Sequence, residues 1–161
     1  MRKLSCVVLA TVAVSALPGP SPAHGAAQIR CTGSYPVTIV PGFSSRPNSG
    51  TFHSGGQTGT IRCDDGRSGT IGVEGRYGVA HPDSCTAGLE GDGVQPFTLQ
   101  GAPAVRNTVT FKGGGLENGF FNGSFDGDRL SGNYTFLPTE GNCITTAVTR
   151  GEIKFHALLN R

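Results

Sequence analysis

The feature that most constrains this chain is a period of two, interrupted by glycine, that runs through nearly all of the sequence after its apolar start. Tyr35, Val37 and Ile39 alternate with Ser34, Pro36 and Thr38, and Ile153, Phe155, Ala157 and Leu159 alternate with Lys154, His156 and Leu158. A strand sends successive side chains to opposite faces, so this pattern predicts half-buried strands. Further strands are expected over 58–63, 69–78, 95–99 and 105–112, and the last over 144–159. Residues 121–137 read as a β-hairpin, with Phe121 and Phe125 on one face, Asp126 and Gly127 at the turn, and Leu130, Tyr134 and Phe136 on one face of the return. Of the 26 glycines, Gly72, Gly75, Gly78, Gly123 and Gly132 fall inside such runs. Glycine weakens a flat strand but permits tight coiling and close approach of backbones. The expected fold is therefore all-β: a small antiparallel β-barrel, with a loop-rich β-sandwich as the alternative.

The amino terminus has a different character. Met1, Arg2 and Lys3 precede an apolar run from Leu4 to Leu17, followed by Pro18, Pro20 and Pro22. A charged start, a short apolar stretch and small residues beyond it form a secretory signal peptide. The run is shorter than the roughly 20 residues that span a membrane. Gly25 and Ala27 fit cleavage after Ala27, and Ser21 and Ala23 fit the alternative cut after Ala23. Residues 1–27 are thus read as the leader and 28–161 as a single domain, secreted and without a membrane anchor. Cleavage removes Arg2 and Lys3 from the 13 Lys and Arg and leaves cations equal to the 11 Asp and Glu. A domain with no net positive charge has no general attraction for phosphate backbones or anionic lipid, so neither nucleic acid nor a membrane is an expected partner.

Of the 5 cysteines, Cys6 leaves with the leader. Cys31, Cys63, Cys85 and Cys143 remain, an even number in an oxidising compartment, which reads as two disulfides. Their spacings are too wide for the paired ligands of a zinc site. On an up-and-down path Cys31 opens the first strand and Cys63 closes the second, at one end of the domain. Cys85 and Cys143 fall at the opposite end. The expected pairings are Cys31 with Cys63 and Cys85 with Cys143.

Catalytic signatures are absent. There is no G-x-S-x-G elbow and no H-E-x-x-H helix. His53 and His81 lie in polar loops, and His156 stands at an outward position of the last strand. The acidic pairs Asp64 and Asp65, Glu90 and Asp92, and Asp126 and Asp128 adjoin glycine and read as turn residues. They do not match a calcium loop. No catalytic residue, metal or cofactor is assigned. Phe43 and Phe52 fall in the long second loop, where an aromatic ring could serve recognition, and are the candidate ligand-binding residues. The alternative is that they fold back over the end of the barrel.

The opening Cys31-Thr32-Gly33-Ser34-Tyr35-Pro36-Val37-Thr38 with Pro41-Gly42-Phe43, and the later Phe121-Asn122-Gly123-Ser124-Phe125-Asp126-Gly127-Asp128 with Cys143, resemble a family of small secreted proteins of high-G+C Gram-positive bacteria. The resemblance implies export and the disulfide-braced β fold. It carries no activity and no functional residue. A likeness to lipocalin-like and allene-oxide-cyclase-like barrels rests on fold alone, which does not license a function. The expected function is a secreted, non-enzymatic binding protein for a small apolar molecule, a glycan or an extracellular protein. The alternatives are a hydrolase or isomerase with a site assembled from loop residues such as His53 and His81, and a protease inhibitor acting through residues 43–57 or 79–93.

Overall fold

The computed structural model describes residues 28–160 apart from 87, 115–116 and 126–127. The leader expected over 1–27 and the hairpin turn at Asp126 and Gly127 lie outside the described residues. Among the described residues ten strands make one antiparallel sheet: β1 (Gln28–Phe43), β2 (Gly50–His53), β3 (Gly59–Cys63), β4 (Ser68–Ile71), β5 (Glu74–Tyr77), β6 (Leu89–Leu99), β7 (Val105–Gly113), β8 (Asn118–Phe125), β9 (Asp128–Glu140) and β10 (Val148–Asn160). Among the described residues no helix is long and apolar enough to cross a membrane.

The sheet closes on itself. Around the ring the order is β1, β3, β4, β6, β7, β8, β9 and β10, and β10 pairs with β1 over most of its length. This ring of eight strands is not a regular barrel, because β2 and β5 form a second bridge between β1 and β6. Residues 31–34 of β1 pair with β3, and residues 38–40 pair with β2. On the far side, 97–99 of β6 pair with β4 and 91–94 pair with β5. The run expected as one strand over 69–78 is consequently two, broken at Gly72 and Val73. Ser54 closes the break: its backbone N–H donates to the Val73 carbonyl at 2.9 Å, and its hydroxyl accepts the Val73 N–H at 2.8 Å.

Two other expectations are corrected. The last strand starts at Val148, not at residue 144, because Asn142 holds a turn ahead of it. The Asn142 Oδ1 accepts the backbone N–H groups of Ile144, Thr145 and Thr146 at 3.1, 2.9 and 3.2 Å, an arrangement in which a short polar side chain substitutes for strand pairing. Ile144 projects outward and is 85 % exposed. The long second loop is also shorter than expected, since β1 continues to Phe43 and β2 occupies its middle.

The disulfides join Cys31 to Cys63 and Cys85 to Cys143, as the up-and-down path predicts. Cys31 and Cys63 are register partners on β1 and β3. Cys85, in the loop before β6, meets Cys143 in the turn before β10, at the other end of the ring.

The ring interior is packed by a repeated device. Phe155 on β10 lies across Gly33 on β1, and Phe121 on β8 lies across Gly132 on β9. Tyr134, Phe136, Phe52 and Phe111 lie in the same way across Gly119, Gly151, Gly75 and Gly91. In each case the glycine occupies an inward position next to an inward ring, and a Cβ there would collide with it. An eight-stranded ring is just wide enough for side chains to fill it, and a ring lying along the wall needs a bare neighbour. Gly33→Val and Gly132→Val should each lower stability by about 1–3 kcal/mol through overpacking, read as a lowered urea midpoint with an unchanged slope.

Candidate ligand cavity in the ring interior

Inward side chains of the ring surround two spaces that meet near Gln95 and Phe121. The narrower has a volume of about 60 Å³ and lies towards the Cys85–Cys143 end, among Tyr35, Val37, Phe52, Val109, Tyr134 and Phe136. At about 30 Å³ per water it has room for only about two water molecules. The wider, about 570 Å³, opens towards the Cys31–Cys63 end. Every strand of the ring contributes to its wall: Cys31 from β1, Ile61 from β3, Ile71 from β4, Phe97 and Leu99 from β6, Val105 from β7, Phe121 from β8, Leu130 from β9, and Phe155, Ala157 and Leu159 from β10. Ala102 and Pro103, from the β6–β7 connection, complete it. Its volume falls in the range of small-molecule sites, roughly 300–1,000 Å³, and so does its character of apolar walls with few polar groups.

Period-two alternation explains the walls. On β6 the buried positions are Gln95, Phe97 and Leu99, and on β7 the inward series is Val105, Asn107, Val109 and Phe111, with Arg106, Thr108 and Thr110 exposed between them. Two of these inward positions are therefore polar. Gln95 and Asn107 are register partners on adjacent strands, and they form a polar level in an otherwise apolar interior. Gln95 Nε2 donates to the Tyr35 hydroxyl at 3.1 Å. Asn107 is fully buried, and neither its amide oxygen nor its amide nitrogen has a hydrogen-bond partner in the protein. The Tyr134 hydroxyl is likewise buried without a partner. Buried polar groups are nearly always satisfied, and an unsatisfied one costs about 1–3 kcal/mol.

Among the described residues, the charges beside the wider space belong to Arg67 and Arg106. The Arg67 Nη2 lies 2.6 Å from Asp65, and the Arg106 Nη2 lies 3.7 Å from Glu74. Burial also raises the pKa of all three tyrosines. Desolvation is the main cause for Tyr35, Tyr77 and Tyr134, and it pushes Tyr134 up to about 12, with the Asp83 carboxylate adding to the shift.

Phe43 and Phe52 are not exposed loop aromatics. They sit on β1 and β2, 1 % and 8 % exposed, with Phe43 edge-on to Tyr77 at 5.2 Å and Phe52 edge-on to Phe111 at 4.8 Å. Both line the narrower space. The histidines lie on separate parts of the surface: His53 is exposed on β2 in register with Glu74, His81 is exposed in the loop after β5, and His156 is exposed on β10. Among the described residues no three His, Cys, Asp or Glu side chains are grouped as a metal site. The acidic residues instead meet basic ones on the outer surface: Asp65 with Arg67, Asp92 with Arg76 and Glu90 with Lys112. The loop before β6 is tied down from within, since the Asp83 carboxylate accepts the N–H groups of Gly78 and Glu90 at 2.8 and 2.9 Å. No protein-family model, curated protein or solved structure matches this chain.

Gln95 and Asn107 were missed by sequence reasoning, although the signal was present. Each is a polar residue at the apolar phase of a strand, Gln95 two residues before Phe97 and Asn107 midway between Val105 and Val109.

The tyrosine shifts carry a definite sign. A phenol whose folded pKa lies above its unfolded value of about 10 contributes stability that is intact below pH 10 and is lost as pH rises through the folded value. The native protein should therefore develop tyrosinate absorbance at higher pH than exposed tyrosine does. Absorbance near 295 nm should rise together with loss of the near-ultraviolet circular dichroism, as alkaline unfolding exposes all 3 tyrosines.

Proposed function

We propose that this is an exported, non-enzymatic binding protein that carries a small apolar molecule inside its ring of strands. The observation that carries the reading is the space of about 570 Å³ walled by apolar side chains from every strand of the ring and open at one end. Such a space excludes water from a ligand surface, and burial of apolar area is worth about 25 cal/mol per Å² before the costs of association. A glycan is less well served. Sugars stack on exposed rings, and among the described residues Phe120 is the one aromatic side chain in the exposed apolar set, which otherwise comprises Val40, Val79, Leu137 and Ile144.

Export is supported by the leader pattern and by two disulfides, which persist in oxidising compartments. The distribution of polarity supports release into water: apolar residues fill the interior, whereas Arg106, Thr108, Thr110 and Lys112 of β7 alternate outward. A membrane-spanning barrel carries its apolar band on the outside. No activity is assigned to His53 or His81, which are both exposed.

Native mass spectrometry of the protein secreted by its own host tests this directly. The expected species begins at Gln28, carries two disulfides, and retains a non-protein adduct that leaves on denaturation. A chain that stays cell-associated with residues 1–27 attached would refute export. Repeated purification without adduct, together with no uptake of apolar dyes, would refute the carrier reading.

A further inference from the structure

We infer that the wider space takes a neutral apolar molecule carrying a single hydroxyl group, seated hydroxyl-inward on the Gln95 amide with its hydrocarbon body towards the open end. The inference rests on the carrier reading above and adds the chemical class and the orientation of the ligand.

Which polar groups a ligand can reach is decided by what lines the space. Both Asn107 amide atoms and the Tyr134 hydroxyl are closed off, so none of them meets a ligand in the ring. Gln95 differs. It is 5 % exposed, yet it lines the narrower and the wider space alike, and it is the one uncharged polar side chain among the described residues in the wall of the wider one. Its Nε2 is committed to the Tyr35 hydroxyl at 3.1 Å. Among the described residues no donor reaches its Oε1, and that atom is not one of those sealed from water. Polar groups buried in this way are nearly always paired, and a few such groups in an apolar wall are what orients a small molecule in its site.

Three properties of the ligand follow. The rest of the wall, from Cys31 and Ile61 round to Leu159, is apolar, so the body of the ligand is hydrocarbon. Arg67 and Arg106 are already engaged with Asp65 and Glu74, so a charge drawn in as far as Gln95 would have no counter-ion, which is strongly unfavourable. The ligand is therefore neutral. Its polar group must also both donate and accept: Gln95 Oε1 offers lone pairs, and the Tyr35 hydroxyl proton has no acceptor among the described residues. A hydroxyl does both from one atom. Donating to Gln95 Oε1 and accepting from Tyr35, it closes a cycle of three hydrogen bonds with the existing Gln95–Tyr35 contact. A carboxylate or an ether oxygen accepts only and leaves Oε1 unpaired.

Fluorescence of diphenylhexatriene, a pure hydrocarbon probe, reports entry into the cavity. Octan-1-ol, its isomer heptyl methyl ether, and octanoate serve as competitors at pH 7. The wild-type protein should bind the probe, and octan-1-ol should displace it at least about tenfold more effectively than either of the others, as expected of a site that hydrogen-bonds a hydroxyl. In Gln95→Leu, probe binding should persist within about twofold while the preference for the alcohol over its ether isomer falls at least about fivefold, a change that a merely structural role for Gln95 would not produce. Tyr35→Phe, which keeps the ring and removes the hydroxyl, should reduce the same preference at least about threefold. Equal displacement by alcohol and ether in the wild type, which is also the result if a water holds Gln95, would overturn the inference and leave the carrier reading standing. Stronger displacement by octanoate, or a preference unchanged in Gln95→Leu, would do the same. Should Gln95→Leu fail to fold, the wild-type comparison and Tyr35→Phe decide. Absence of probe binding to the wild type would end both readings.

Discussion

Inside a ring of eight strands there is space for one layer of side chains from each wall, and here that space is apportioned by aromatic rings lying on glycine. Phe155 over Gly33 and Phe121 over Gly132 are the central pairs. Each ring covers the backbone of a neighbouring strand, which restores the burial that glycine forfeits, and each glycine leaves room for the ring to lie along the wall. The two rings also meet each other, with centroids 6.3 Å apart and nearly perpendicular planes, and Tyr35 joins Phe155 at 5.8 Å. The rest of the architecture depends on this packing, because it fixes how closely the strands approach and therefore how much of the interior stays open.

The two ends of the ring differ for the same reason. Towards Cys85–Cys143 the rings of Phe43, Tyr77, Phe52 and Phe111 crowd together and leave about 60 Å³. Towards Cys31–Cys63 the walls combine Phe97, Phe121 and Phe155 with Ile61, Ile71, Leu99, Leu130, Ala157 and Leu159 and leave about 570 Å³. The disulfides brace both ends, so the open end is held in shape without being filled. A chain with a modest apolar content gains from such cross-links, each typically about 2–4 kcal/mol. Between the ends lies the polar level of Gln95, Asn107 and Tyr35. Gln95 lines both spaces and Tyr35 the narrower one, whereas Asn107 is closed off from each.

Much of the fold was legible in the sequence, because a strand's period of two is a local property. The inward series Tyr35, Val37, Ile39 and the series Phe155, Ala157, Leu159 can be read directly, and the cysteine positions along an up-and-down path were enough to pair them. Less legible were the strand limits. The break at Gly72 and Val73 depends on Ser54, distant in sequence, and the start of β10 depends on the Asn142 turn. Phe43 and Phe52 looked like loop residues because prolines and glycines surround them, yet pairing of β2 with β1 and β5 draws both rings inside.

By itself, then, the sequence determined the class of the fold, the inward face of most strands, the disulfide pairs and the absence of any known catalytic motif, since each of these follows from residue type and local spacing. The tertiary structure decided the closure of the sheet, the division of its interior, and the meeting of Gln95 with Asn107. Those depend on which strands become neighbours and on how rings and glycines from different strands interlock, and neither is encoded in any single stretch of the chain.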